Sequence, residues 1–473
     1  MENFKRLALP CLIYALVFVL CLYENACSIT MPVWVAGLLG LAVYVIRIDG
    51  RQIKKGSHFI IAVMLLIGLS SALTANAYII FMNYTAEAVL IISLMLYNYA
   101  DDGSWELDTY LGEIVAAVFK SIGRVFTPFR DGTDYLKHRS KAKNPRLRAI
   151  LLGVVIAVPC LLILGGLLAS ADDVFRYAID SVFSELFIPD TVLGITLMLL
   201  IGFFTAYCGL RYIGERAELV RVREHHRSEP VTALTVMILI AVMYLVFSGI
   251  QICYLFIGGF SLPEDVTYAE YARSGFFQLL CVCIINLAIV LTVKKRVVEN
   301  KALNVVLLII SACTYIMIAS SACRMVMYIR EYRLTFLRLF VLVALLTLAV
   351  LLAGVAVRIV NAGFSFFRYG LAVVSVIYII FAFSHCDYFI AEYNLAGQGE
   401  EKDYGYLSEL SLDAAPAITS FLEERQISRS EWSEMEWYRN YMYANSYELD
   451  KTCSIRKFNL SAWYADRVLE TLQ

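Results

Sequence analysis

Apolar residues in this chain fall in long runs separated by short polar links. Stretches such as "AILLGVVIAVPCLLILGGLLAS" and "LRLFVLVALLTLAVLLAGVAV" reach the ~20 residues with which a helix crosses a hydrocarbon core of roughly 30 Å. A soluble core needs no runs of that length. The pattern predicts spans over residues 7–23, 30–46, 59–76, 78–98, 149–169, 191–211, 231–257, 274–293, 302–322, 336–357 and 369–389. That is an all-α, polytopic transmembrane bundle of about eleven helices. The fourth span is the weakest, because Asn83, Tyr84, Thr85 and Glu87 interrupt it.

Two periodicities lie outside the spans. In the link 101–148, Leu107, Tyr110, Leu111, Ile114, Val118, Phe119 and Ile122 recur at steps of three and four, followed by a basic run from Lys137 to Arg148. This predicts an amphipathic helix lying on lipid or on the bundle itself. After the fifth span, Phe175, Ile179, Val182 and Leu186 form one stripe, with Ser170, Asp172 and Asp173 as acceptors for first-turn N–H groups. Beyond about Glu392 the composition changes. Residues 392–473 carry fifteen acidic and eight basic side chains with many aromatics, predicting a small acidic helical domain that leans on the 1–391 membrane part for stability.

Charge orients the bundle. The chain is 60% hydrophobic and only 17% charged, against about 25% in soluble proteins. With the N-terminus inside, cytoplasmic links hold 26 of the 40 Lys and Arg, the external loops six and the tail eight. The C-terminus is then extracytoplasmic. Glu24 spoils a cleavage site ending at Ala26, so the first helix is expected to be retained. Four of the six external basic residues, Arg324, Arg330, Arg333 and Arg338, share one loop after the ninth span. They are expected to snorkel to lipid phosphates or to pair with Asp172, Asp173, Asp180, Glu264 or Asp265.

Candidate chemistry is sparse. Phosphate-loop, dinucleotide, zincin and C-x-x-C motifs are all missing, and no histidine lies mid-span. No catalytic residue, metal ligand or cofactor is predicted, and no nucleic-acid partner. Most cysteines lie in apolar spans and read as small hydrophobes; nothing in the spacing of Cys27, Cys323, Cys386 and Cys453 demands a disulfide. Glu87 is the one charged residue well inside a span, with Asn83 a turn before it on the same face. A span shifted by a few residues would instead bring Glu87 to the headgroups. Asn286 and Gln278 are expected to bond between helices. No broken helix is predicted, and His385 and Asp387, two apart, share no helix face.

Four strings, "LLASADDVF", "RMVMYIREYRLTFLRLFVL", "CDYFIAEYNL" and "DYGYLSELSLDAAP", resemble a bacterial membrane family known as domain of unknown function 4173, with its relative 4153. The likeness runs from about residue 150 onward. It implies a multi-pass protein of the bacterial cytoplasmic membrane and no established activity. It draws attention to Asp172, Arg324, Tyr328, Arg338, Asp387, Asn394 and Asp413. Arg333 departs from the family pattern, which has Gly there, and that puts the tight turn in question.

Together these features favour a non-enzymatic envelope sensor or assembly partner, with membrane lipids and a membrane or extracytoplasmic protein as candidate partners. A transporter or lipid-handling protein using Glu87, Asn83 and the external arginines is the alternative. A lipid-modifying enzyme comes third.

Overall fold

The computed structural model describes residues 2–99, 107–139, 190–219, 229–253, 275–396, 402–425, 435–450 and 454–470, with residue 431 and scattered positions between 153 and 177. The helices are α1 (Glu2–Leu22), α2 (Thr30–Ile48), α3 (Ser57–Leu73), α4 (Ala77–Tyr99), α5 (Leu107–Ile122) and α6 (Thr127–Arg139). There follow α7 (Asp190–Leu219), α8 (Pro230–Gln251), α9 (Phe276–Arg296), α10 (Lys301–Tyr332), α11 (Phe336–Val360) and α12 (Phe366–Ala382). The C-terminal segment holds α13 (Cys386–Ala396), α14 (Tyr404–Ser408), α15 (Ala415–Glu424), α16 (Glu436–Asp450) and α17 (Leu460–Glu470).

Among the described residues, eight helices are long and apolar enough to cross a membrane. The 17-residue α3 and the 17-residue α12, which bends into α13, complete ten of the eleven predicted spans. The fifth, at 149–169, lies outside the described residues apart from isolated positions.

Two cores organise the bundle. One joins α1 to α4 with α5 and α7; the other joins α8 to α11. Helix α12 ties them together, with Leu371, Tyr378 and Ile379 against the first and Phe366 and Tyr369 against the second. Lipid is as apolar as leucine, so close backbone approach and interhelical hydrogen bonds do the joining. Gly354 of α11 packs directly beneath the Tyr369 ring, where any Cβ would collide with it. Asn286 accepts from Tyr244 (2.7 Å) and donates to Thr314 (3.0 Å), linking α8, α9 and α10 as expected. Gln278 is exposed, so it does not join helices in the way Asn286 does.

Three expectations need correction. The ninth span does not end at 322: α10 continues to Tyr332, so Arg324 and Arg330 stand on helix and not in a loop. Its apolar face continues through Met325 and Ile329, both buried, which holds the helix together past the arginines. The eleventh span does break. Helices α12 and α13 are bent by 58°, with His385 at positive φ between them. Both the N–H and the hydroxyl of Ser384 donate to the Phe381 carbonyl there, closing a turn where the helix is interrupted. Finally, the predicted apolar stripe of α5 is divided. Tyr110 is buried and stacks on Phe367 at 3.9 Å, while Leu111, Val118, Phe119 and Ile122 face outward.

The two ends of the bundle differ. One, the basic end, carries α5 and α6 with Arg51, Lys54 and Lys55 of the α2–α3 link and Lys294, Lys295 and Arg296 at the end of α9; there Asp131 accepts from Tyr207 (3.0 Å) and Arg211 (3.3 Å). The C-terminal segment covers the other.

Candidate functional site

Helices α3, α4 and α12 enclose a column of polar side chains. Asn83 donates to the hydroxyls of Ser70 (2.9 Å) and Ser71 (2.8 Å) and accepts from Tyr378 (2.5 Å), so one amide holds three helices. Glu87 lies one turn along the same face, at the eleventh of the 23 positions of α4. It is therefore far from either end of its helix, and only 2% exposed. Toward the basic end the same three helices bound an open cavity of about 450 Å³ lined by Lys55, Tyr97, Ser93, Ile60, Arg368 and Leu371 among others.

At the opposite end the column runs into the C-terminal segment. The 3-10 turn Leu412–Ala414 carries Asp413 into the connection between α3 and α4. Its carboxylate accepts from the Thr74 hydroxyl (2.5 Å), the Ala75 N–H (2.9 Å) and the Ser461 hydroxyl. His385 Nδ1 stands 3.5 Å from the same group. Asn459, which caps α17, donates to the Thr74 carbonyl at 2.9 Å. Asp387 accepts from the Ser411 N–H (3.0 Å) and hydroxyl (2.6 Å), fixing the turn that presents Asp413. Asn394 donates to the Leu334 carbonyl and accepts from its N–H, both at 2.9 Å, in the fashion of a strand partner. Further along, Arg456 donates to the Tyr23 carbonyl (2.8 Å), and the Ile29 N–H donates to the Phe458 carbonyl (2.8 Å). The segment is thus pinned to the links α1–α2, α3–α4 and α10–α11. Its apolar core includes Ile79, Phe381 and Ala382 of the bundle.

Two groups at this junction titrate in the same sense. The hydrogen bond to Asp413 holds the His385 imidazole above its ordinary 6.5, with burial opposing. Burial raises the Asp387 carboxyl above 3.8, with Ser411 opposing. Both groups bind protons more tightly in the folded state, so each stabilises the junction on the acid side of its window. The His385 contribution is complete below about pH 6.5 and is lost as pH rises through the folded value. Protection of the C-terminal segment from protease should therefore weaken as pH climbs above about 6.5. His385→Gln should flatten that part of the profile.

The arginines do not act as one patch. Arg324 is buried between α8 and α10, its guanidinium 3.4 Å from the Gln251 side-chain oxygen, which also accepts from Ser320 (2.6 Å). Gly275, at φ +89°, lies against it, where a Cβ would come within 2.9 Å of Nη1. Arg338 donates to the carbonyls of Tyr332 and Arg333 and lies 4.3 Å over the Tyr328 ring, capping the end of α10. Among the described residues it pairs with no acid. Arg330 is exposed. Arg333 keeps the turn that the missing glycine put in question, at φ 70°, ψ 172°. A side chain there is strained by about 1–3 kcal/mol. Arg333→Gly should raise the thermal midpoint, with a net gain of about 1 kcal/mol after the entropy cost of glycine. Asp172 accepts from the N–H groups of Val174 and Phe175, as a capping residue does, and Asp173 is exposed beside it. Asp180, Glu264 and Asp265 lie outside the described residues.

Sequence reasoning missed Ser70, Ser71, Tyr378, Thr74, Asn459 and the His385–Asp413 pair. The adjacent serines inside an apolar span and the Asn-Leu-Ser start of the last helix were the available signals. Cys27, Cys323 and Cys386 are free thiols. Among the described residues no three His, Cys, Asp or Glu side chains converge to hold a metal ion.

Apolar helices of spanning length, a carboxyl group buried at mid-span and helices pinned across one end define a polytopic helical membrane protein. The chain belongs to the family described as a domain of unknown function (DUF4153), which matches residues 61–421. This is the second of the two related families that the motifs resembled, and the match begins earlier than the motifs, within α3. It covers Asn83, Glu87 and the Asp387–Asp413 junction. No curated protein and no solved structure matches the chain.

Proposed function

We propose that the protein is a non-enzymatic sensor or assembly partner of the cytoplasmic membrane, with its C-terminal helices as the part that engages a partner outside the cell membrane. The observation that supports this is Asp413. A buried carboxylate from the C-terminal segment closes the α3–α4 connection, so any ligand that shifts the segment acts directly on the bundle. The extracytoplasmic placement rests on the distribution of Lys and Arg. The outward apolar face of α5, with Phe119 and Ile122, suits seating in the lipid of the opposite leaflet.

Tyr443 is 85% exposed on the outer side of α16 and gives a place to test this. A photoreactive residue there, in native membranes, should crosslink one discrete protein, and Asp413→Asn should remove that adduct. Crosslinks to lipid alone, unchanged by Asp413→Asn, would count against a partner at this surface.

A further inference from the structure

Neither carboxyl oxygen of Glu87 has a hydrogen-bond partner among the described residues. An ionised carboxylate left so in an apolar interior is very costly, whereas the neutral acid is tolerated. Among the described residues no cation pairs with it. Tyr378 of α12 is the titratable side chain that faces it, and its hydroxyl is already given to Asn83. Helix α3, packed along α4, has no titratable residue beyond His58 in its first turn. On α2, Tyr44 is exposed and Arg47 lies in the last turn. On α7, Asp190 starts the helix at the far end, and the other titratable groups gather with those of α5 at the basic end, where Tyr207 and Arg211 serve Asp131.

The surroundings also suggest a way in. Ser93, on the wall of the 450 Å³ cavity, is six residues from Glu87 along α4, or about 9 Å of helix rise and about 120° around the helix. On the other side Asn83, Ser70 and Ser71 continue the polar column toward Thr74 and Asp413. Asn83 has both ends of its amide engaged, so a metal cation would find few oxygens beyond the two of Glu87. A proton needs only one.

We propose that Glu87 is a reversible proton-binding site within the membrane, reached from the basic end through the cavity between α3, α4 and α12. The site stands independently of any partner of the C-terminal helices.

Infrared difference spectra of the full-length protein and Glu87→Gln in liposomes test it. At neutral pH the wild type should show a carboxylic C=O band that Glu87→Gln lacks. In D2O that band should shift downward as the proton exchanges. Ala372→Phe, which fills the cavity, should slow the shift and leave the band in place. Identical wild-type and Glu87→Gln spectra in the carboxylic region would mean an ionised Glu87 and would overturn the proposal. A band that never shifts would mark a sealed structural acid and overturn it equally. Exchange unchanged in Ala372→Phe would remove the cavity as the route. Glutamine is neutral and isosteric, so the variant is expected to fold, and Glu87→Asp should restore a carboxylic band.

Discussion

Tyr441→Ala should be the most damaging single change at the capped end, costing about 3–5 kcal/mol, the range for truncating a buried aromatic. The ring is fully buried at the centre of the C-terminal core. Its hydroxyl donates to the Ser411 carbonyl at 3.0 Å, and Asn445 beside it donates to the Leu410 carbonyl. Removing the ring leaves a cavity between α16 and the turn that delivers Asp413. Tyr441→Phe, which keeps the ring, should cost only about 0.5–1.5 kcal/mol for the lost hydrogen bond, because the Ser411 carbonyl keeps the Ala414 N–H as a donor. Thermal unfolding in detergent micelles separates the two variants. Because Ile79, Phe381 and Ala382 belong to the same apolar cluster, the loss should lower the main unfolding transition. A separate early transition with the main one unmoved would show that the segment melts alone.

Asp413→Asn should cost about 2–4 kcal/mol and expose the C-terminal segment to protease in native membranes. The carboxylate is 4% exposed and meets only donors: a hydroxyl and a backbone N–H from the α3–α4 connection and a hydroxyl from α17. Asparagine turns one acceptor into an NH2 group that faces those donors. The charge-assisted bonds are lost and at least one buried donor is left without a partner. Ser461→Ala removes a single donor and should cost about 1 kcal/mol. If Asp413→Asn were as protease-resistant as wild type, the carboxylate would not be what holds the segment, and the coupling proposed for it would fail with it.

Much of the fold was legible because bilayer thickness acts on a local property. A run of about 20 apolar residues has one affordable outcome in lipid, a helix with all its backbone bonds internal. That reasoning placed helices at ten positions, including the interrupted α4. The cap at Asp172 and the helical character of the acidic tail were equally local, set by first-turn acceptors and by a composition rich in aromatics. Arg333 shows the same logic from the other side. The turn survives a poor residue, because α10 ending at Tyr332 and Asn394 gripping Leu334 leave the backbone no other path.

The sequence by itself therefore determined the helices, their amphipathic exceptions and Glu87 as an expensive residue within a span. Tertiary structure alone decided what surrounds that residue and what the C-terminal helices do. Tyr378 reaches Asn83 across 295 positions, and Asp413 reaches Thr74 across 339. No periodicity encodes such pairs. They exist because α12 wedges between two half-bundles and because the break at His385 turns the following helix across the end of the bundle. Whether a buried carboxyl faces lipid, a salt bridge or an apolar cavity depends on which helices are neighbours, and that is a property of packing and not of spacing.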